Sequence, residues 1–215
     1  MSTQKISIDS MCVKEIKEKR TTQPHQLPIY ATSSFEFVNM EQGIDIFTGK
    51  ESGHVYSRYG NPTIDTVSQK LADLEAFGTG LNAYGYLTSS GMSAISTLIL
   101  SLVKSGETIL TQGDLYGGTT ELLLKVIAQS GIKTIFTDLT VIDQVDYLLQ
   151  TNRNIKLLYL ETPANPTMKC IDMGQKARLA KKNGGITCVE NKFCTPIIQQ
   201  PLTFGIGFLI HFTTK

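Results

Sequence analysis

The amino-acid sequence predicts an α/β protein, with a mostly parallel sheet covered by helices on both faces and an irregular arm before it. From residue 62 onward, short apolar segments alternate with segments of about ten residues that have helical periodicity. Strands separated by helices of this length pair in parallel and are buried on both faces. Before residue 62, glycine and proline interrupt the chain and the alternation is missing.

The N-terminal arm, residues 1–61, carries few signals of regular structure. Residues 11–20 have charges at helical spacing, residues 21–30 contain two prolines and are predicted to be extended, and residues 33–38 are predicted to form a short strand. Four glycines then predict a long loop that ends at Gly60. Long irregular segments of compact proteins usually carry function or wrap around a partner.

The elements after the arm follow in regular order. Apolar residues recur at intervals of three and four from Ile64 to Leu74, which predicts an amphipathic helix that ends at Gly78. Strands are then predicted at residues 83–87, 108–111, 133–136, 156–160, 186–189 and 208–211, and helices at residues 92–103, 120–128, 141–149 and 172–182. Ligands of such sheets bind at the carboxyl ends of the strands, so the loops that follow the strands are the first candidates for a site.

Composition narrows the class of function. The 215 residues, of mass 23.7 kDa, correspond to one domain or one and a half. Twenty Lys and Arg balance nineteen Asp and Glu, which excludes a general nucleic-acid binder. Only 18% of the residues are charged, so we expect another subunit to cover part of the surface. Because no stretch is apolar enough for a membrane span or a signal peptide, we expect a cytoplasmic protein without membrane contact.

Cysteine and histidine give no metal-binding pattern. Cys12, Cys170, Cys188 and Cys194 form no CxxC pair, and the three histidines are widely scattered. We therefore expect unpaired, buried thiols in a reducing compartment and no bound metal.

Several segments at predicted strand ends contain residues suited to binding or catalysis. Residues 88–93 form a small, hydroxyl-rich turn before a helix, which suits a phosphate or is an ordinary capped turn. The ring of Tyr116 can stack on a planar ligand or pack in the core. Asn165, flanked by two prolines, can bind a ligand oxygen or complete a turn. Glu190 ends a strand with a carboxylate, and Lys215 is a Schiff-base candidate or an ordinary surface lysine.

Five segments occur in a specific order: YSRYGNPT at 56–63, SGM at 90–92, YGGT at 116–119, ETPANP at 161–166 and QQP at 199–201. Together they resemble the Cys/Met-metabolism family of pyridoxal-phosphate (PLP) enzymes, which includes cystathionine γ-synthase, cystathionine γ-lyase, methionine γ-lyase and O-acylhomoserine sulfhydrylase. The resemblance runs from about residue 28 to the last residue. It implies PLP as cofactor and the large domain of aspartate-aminotransferase-like enzymes as the fold.

The resemblance also implies roles for individual residues. Lys215 matches the lysine that forms the internal aldimine, and Tyr116 matches the ring that stacks on the cofactor and assists the leaving group. The other implied cofactor contacts are Ser90, Gly91, Met92 and Thr214 at the phosphate, Asn165 near the phenolic oxygen, Glu190 at the pyridinium nitrogen, and Tyr56 and Arg58, which reach the phosphate of a neighbouring subunit. The arm would then make the contacts between subunits of a homodimer or homotetramer.

The activity implied by the resemblance is γ-elimination or γ-replacement on sulphur amino acids or O-acylhomoserine, the chemistry of trans-sulfuration. Three positions depart from the family pattern: Glu190 replaces an aspartate, Lys192 a threonine, and Phe212 a serine that binds phosphate. Because family chains continue past the lysine, we expect residues 62–215 to be a truncated PLP-binding domain that lacks the small C-terminal domain. The alternative to an enzyme is a catalytically inactive remnant that retains only cofactor binding or dimerisation.

Overall fold

The computed structural model describes residues 25–213, so Thr214 and Lys215, like residues 1–24, lie outside the described part of the chain. Five strands form one parallel sheet in the spatial order β2-β1-β3-β4-β5. They are β1 (Thr108–Gln112), β2 (Lys133–Thr137), β3 (Ile155–Glu161), β4 (Ile186–Glu190) and β5 (Phe208–Ile210). The predicted parallel sheet is confirmed.

Helices connect and cover the strands. They are α1 (Met40–Phe47), α2 (Pro62–Ala76), α3 (Gly91–Leu102), α4 (Gly117–Glu121), α5 (Ile142–Thr151), α6 (Met173–Lys182) and α7 (Thr195–Ile198). α4 continues as one π-helical turn (Leu122–Val126) and one 3₁₀ turn (Ile127–Ser130), and a further 3₁₀ turn spans Pro201–Phe204. The single helix predicted at residues 120–128 is thus a longer and less regular segment.

The core consists of two apolar clusters, one on each face of the sheet. Leu157 and Leu158 are neighbours on β3 and point to opposite faces. Leu158 packs in a cluster with Val145 of α5 and Ala177 of α6. Leu157 packs in the other cluster with Ile95 of α3. Helices therefore cover both faces, as the sequence predicts, and the middle strands are buried on both sides.

The strand predicted at residues 83–87 is absent. This segment is extended, but it has no ladder partner within residues 25–213, and Tyr84 and Tyr86 are 91% and 93% exposed. Gly85 is pressed against α2, where a Cβ atom would lie 2.1 Å from the Ser68 carbonyl oxygen. The outer edge of β5 is likewise unpaired in the described chain. A strand needs a neighbouring strand to satisfy its backbone hydrogen-bonding groups. The alternation of strand and helix segments in the sequence is therefore not enough to make residues 83–87 a strand.

Two predictions for the arm are wrong. The predicted strand at residues 33–38 is reduced to an isolated antiparallel bridge between Ser34 and Tyr56. The predicted loop contains helix α1, whose N-cap Asn39 accepts a 2.8 Å hydrogen bond from the Gln42 N–H, while the Gln42 side chain accepts one of 2.7 Å from the Val38 N–H. This reciprocal arrangement resembles a capping box, a pattern visible in the sequence. The helical spacing at residues 11–20 lies outside the described residues.

Helix α2 forms as predicted, but it buries a different face. It starts at N-cap Asn61 and is followed by Gly78 in the left-handed region, with φ of 74°. Its buried residues are Ser68, Ala72 and Glu75, whereas the predicted apolar stripe remains partly exposed at Ile64, Val67 and Leu74. An amphipathic pattern locates a helix more reliably than it identifies the face that packs in a given chain.

The described cysteines Cys170, Cys188 and Cys194 are free thiols, but only Cys188 is buried and Cys170 is exposed. The expectation that they are all buried is therefore wrong. Within residues 25–213 there is no cluster of three potential metal ligands. The helices of that same stretch are all too short or too polar to cross a bilayer.

Candidate active site

The loops after β1, β4 and β5 meet the N-terminus of α3 at one edge of the sheet. They enclose a cavity of about 740 Å³ between the extended segment 84–88 and the end of β5. The predicted site residues Ser90, Gly91, Met92 and Tyr116 line this cavity, together with Lys192, His211, Phe212 and Thr213. The carboxyl edge of the sheet is the position that parallel α/β folds generally use for ligands.

The turn at residues 88–93, predicted to be either a phosphate-binding turn or an ordinary capped turn, leads into the N-terminus of α3. Ser90 is the N-cap, and its Oγ accepts a 3.1 Å hydrogen bond from the Ser93 N–H. The Thr88 hydroxyl donates to the Ser90 carbonyl oxygen at 2.8 Å. The turn is therefore a capped turn, and the positive end of a twelve-residue helix also faces the cavity. Such an end suits an anion.

Phe212 covers this helix end. A Cβ atom at Gly91 would lie 1.9 Å from Phe212 Cε1 and 2.2 Å from Cζ, so the ring packs directly against the Gly91 backbone. Any residue larger than glycine would overlap the ring. The serine-to-phenylalanine departure at position 212 thus places an apolar ring at the predicted phosphate position.

Glu161, at the end of β3, fixes two of the predicted site loops. Its carboxylate is buried, with Oε2 accepting the Tyr116 N–H at 2.7 Å and Oε1 accepting the Asn165 N–H at 3.1 Å. The Gln112 side chain bonds the Glu161 backbone in both directions, at 2.8 and 3.1 Å. Burial, and secondly the charge of Glu190, raises the pKa of the Glu161 carboxyl to about 7.

Glu161 and Gln112 are positioning residues to which the sequence analysis assigned no role. One signal in the sequence could have identified Glu161, because it is a carboxylate directly after the apolar run of β3. Buried polar groups in such a place require partners. Asn165 does not line the cavity, so its contact with the site is indirect, through Glu161 and Tyr116.

Glu190, at the end of β4, is buried among the strand ends. Its Oε2 accepts a 3.0 Å hydrogen bond from the Tyr159 hydroxyl. Its Oε1 accepts no hydrogen bond from the described residues, but the Lys192 Nζ lies 3.6 Å away. Burial raises the pKa of Tyr159 well above its usual value, and the charge of Glu190 raises it further. Tyr159 therefore acts as a neutral donor to Glu190.

Replacing Tyr159 with phenylalanine should lower the free energy of unfolding by about 2 kcal/mol, because Glu190 Oε2 then loses its donor while buried. Urea unfolding measures the change, and Tyr147→Phe, at a residue that is 66% exposed, is the matched control. Equal stabilities of the two variants would contradict the assigned role of Tyr159.

Lys192 is a buried cation within the site. Its side chain is 4% exposed, and its Nζ lies 5.3 Å from the ring centroid of Tyr116, 4.8 Å from Phe193 and 5.3 Å from Phe212. Three aromatic rings and the Glu190 carboxylate therefore surround the ammonium group. These are the contacts that a desolvated cation favours.

His211 ties the site to α2. Its Nε2 lies 2.5 Å from Oε1 of the buried Glu75, which also accepts a 3.2 Å hydrogen bond from Asn191 Nδ2. The sequence analysis assigned no role to this pair, since 136 residues separate the two partners.

Tyr56 and Arg58 do not line the cavity. The Arg58 guanidinium packs over the rings of Tyr56 and Tyr59, at 5.1 and 5.3 Å. Arg58 borders a second, smaller cavity with Gly60 and Tyr86. Tyr56 and Arg58 therefore do not join Ser90, Gly91, Met92 and Tyr116 on the cavity, and Thr214 and Lys215 lie outside the described residues.

A parallel sheet with helices on both faces and a cavity at the strand ends defines an α/β domain of the kind that binds its ligand at that edge. The sequence profile of a family described as Cys/Met metabolism PLP-dependent enzymes matches residues 9–215. The chain belongs to this family.

Individual relatives agree with this assignment. The chain is 35% identical to an L-methionine gamma-lyase of Fusobacterium nucleatum subsp. polymorphum over 100% of its own length and 53% of the relative. It is 33% identical to an O-succinylhomoserine sulfhydrylase of Pseudomonas aeruginosa, over 97% of this chain and 50% of that protein. The chain therefore spans about half the length of these curated relatives.

A solved structure supports the same fold. It is a putative O-acetylhomoserine (thiol)-lyase of Campylobacter jejuni, which contains an N'-pyridoxyl-lysine-5'-monophosphate. It superimposes with a TM-score of 0.80 at 29% identity, over 88% of this chain and 45% of that one. The described sheet is thus the fold of a PLP-dependent enzyme.

The arranged side chains do not fit PLP as they stand. PLP carries a phosphate at one end and a ring nitrogen at the other, which is paired with a carboxylate when protonated. Phe212 covers the helix end that would receive the phosphate, and Lys192 already neutralises Glu190. Both ends of the site are occupied by side chains of the chain itself.

Proposed function

We propose that this chain supplies the cofactor-domain half of a trans-sulfuration enzyme, which carries out γ-elimination or γ-replacement on sulphur amino acids or O-acylhomoserine. The proposal rests chiefly on one observation, the convergence of Ser90, Gly91, Met92 and Tyr116 on a single strand-end cavity. The lyase and sulfhydrylase among the relatives support the reaction class. The substrates and the turnover proposed are those of proteins about twice the length of this chain.

In this proposal the residues keep the roles that the family pattern assigns. Lys215 and Tyr116 are the catalytic residues, and Ser90, Gly91, Met92 and Thr214 hold the phosphate once the Phe212 ring has moved from the helix end. Glu190 pairs with the ring nitrogen, and Asn165 acts near the phenolic oxygen through its link to Glu161. Residues 62–215 form the PLP-binding domain. Residues 1–61 form an arm that carries Tyr56 and Arg58 to a neighbouring subunit of a homodimer or homotetramer, and the absence of both residues from the lining of this chain's own cavity supports such a role.

A second candidate function is favoured by Phe212 and Lys192. Their positions support a catalytically inactive remnant that retains weak cofactor binding or dimerisation. Self-association without PLP is the expected result for the remnant, and sedimentation of the apo chain measures it. A strictly monomeric apo chain would count against dimerisation as its function.

Lys215 provides the test of the enzyme proposal. The chain is incubated with saturating PLP, reduced with borohydride and digested, and the pyridoxyl group is located by mass spectrometry. We expect one label, on Lys215, and we expect Lys215→Ala to abolish both this label and any release of 2-oxo acid from methionine or cystathionine.

The matched control is Lys182→Ala, at a lysine whose side chain is 63% exposed. It should keep the label on Lys215. Label spread over surface lysines, or turnover that survives Lys215→Ala, would reject the enzyme proposal.

A further inference from the structure

We infer that the chain fills its own cofactor site, with the Phe212 ring at the phosphate end and the Lys192 ammonium at the ring end. The inference rests on the proposed function, because it concerns the affinity of the same site for PLP. The two side chains then compete with PLP, and both must move out of the site before PLP binds.

At the phosphate end, the competition is for space. The first N–H groups of a helix have no acceptor within the helix, and an anion bound there lies within about 3 Å of them. The Phe212 ring packs against the backbone of Gly91, the first residue of α3. Ring and phosphate therefore cannot occupy this helix end together. The apolar ring also shields the helix end without offering it a hydrogen-bond acceptor.

At the ring end, the competition is for charge and for an aromatic face. A protonated pyridine ring would offer a cation to Glu190 and a flat face to Tyr116. Lys192 already offers a cation to both, at 3.6 Å from Glu190 Oε1 and 5.3 Å from the Tyr116 ring centroid. Oε1 of Glu190 accepts no hydrogen bond within the described part of the chain, so the ammonium is its compensating charge.

The two competitors also touch each other. The Lys192 ammonium lies 5.3 Å from the Phe212 ring centroid, within the range of a cation–π contact. Each side chain therefore helps to hold the other in the site. When the binding-competent arrangement is only a small fraction of the population, the apparent affinity for a ligand falls by that fraction. Removal of either competitor should thus raise the affinity for PLP even without a new protein–ligand contact, so Phe212→Ala, which adds no hydroxyl, should share the gain of Phe212→Ser.

The experiment is equilibrium dialysis of PLP against the unsubstituted chain, Phe212→Ser, Lys192→Thr and the double variant. We expect each single variant to bind PLP at least about tenfold more tightly than the unsubstituted chain, which corresponds to regaining one charged interaction, and the double variant to bind more tightly still. Phe77→Ser and Lys182→Thr are the matched controls, at residues that are exposed and do not line the cavity. They should leave the affinity unchanged.

Two partial probes separate the two ends. Inorganic phosphate should gain more affinity from Phe212→Ser than from Lys192→Thr. Pyridoxal, which lacks the phosphate, should show the reverse. Circular dichroism verifies that each variant is folded, and the phosphate measurement on Phe212→Ser stands even where loss of Lys192 prevents folding.

The outcomes distinguish this inference from the proposed function. If the unsubstituted chain binds PLP as tightly as the double variant and is labelled on Lys215, the inference is wrong and the proposed function stands. If neither folded chain binds PLP and Lys215 is never labelled, both are wrong. Tighter binding by the double variant, with the label on Lys215, supports both.

Discussion

Replacing Lys192 with methionine should destabilise the chain by about 3 kcal/mol, the cost of removing one partner of a buried ion pair. The side chains of Lys192 and Glu190 are 4% and 0% exposed, so solvent screens neither of them. Without the ammonium, the buried Glu190 carboxylate has no compensating charge, and leaving it so costs free energy. Urea unfolding at neutral pH measures the change.

A double-mutant cycle identifies the source of this effect. Glu190→Gln combined with Lys192→Met removes both charges and should recover much of the loss, because no uncompensated charge remains. Lys182→Met removes an exposed lysine and should change the stability by less than about 0.5 kcal/mol. Single-variant effects that simply add in the double variant would show that Lys192 and Glu190 are not coupled.

The second large effect expected is a pH dependence caused by Glu161. Its pKa is raised from 4.5 to about 7 in the folded chain, so between these values the folded state binds a proton that the unfolded state has released. Stability is therefore higher at the acidic end of this window and falls as pH rises through 7. The expected loss between pH 5 and pH 8 is about 2.5 kcal/mol.

Glu161→Gln should remove most of this pH dependence, because an amide does not titrate in the window. The variant still accepts one backbone hydrogen bond, but its amide nitrogen faces a second donor, so its stability at pH 5 should be lower than that of the parent chain. Glu41→Gln, at an exposed position, is the control. An equally steep pH dependence in Glu161→Gln would assign the effect to another group.

Much of the sheet could be predicted from sequence, because buried parallel strands are short apolar segments and the helices between them are marked by caps and glycines. The strand prediction that fails at residues 83–87 concerns a segment whose outcome depends on a distant partner. Residues 83–87 have the composition of a strand, but a strand exists only when a neighbour pairs with it. Helix α1 is a different case, because its glycines predict a loop although Asn39 and Gln42 form a local capping pattern.

The candidate site likewise has residues that could be predicted from local sequence and contacts that could not. Turn chemistry and strand-end position are local properties, so Ser90, Gly91 and Tyr116 could be identified from sequence and lie on one cavity. The positions of Lys192 and Phe212 were recognised as departures, but their contacts with Glu190 and Gly91 depend on packing across the sheet edge. Glu161 accepts hydrogen bonds from two different loops, at Tyr116 and Asn165, and no single sequence motif predicts such a role.

The outer edge of β5, which pairs with no strand among residues 25–213, has a consequence for handling this chain in solution. Its free backbone donors and acceptors can template the addition of a strand from another molecule, and the exposed rings of Tyr84 and Tyr86 lie across the same cavity. Natural sheets usually protect such edges with charge, proline or a covering segment. Within the described chain no strand covers this edge, so we expect it to favour aggregation at high concentration. Charged residues placed on the edge should therefore raise yield and solubility more than changes in the core do.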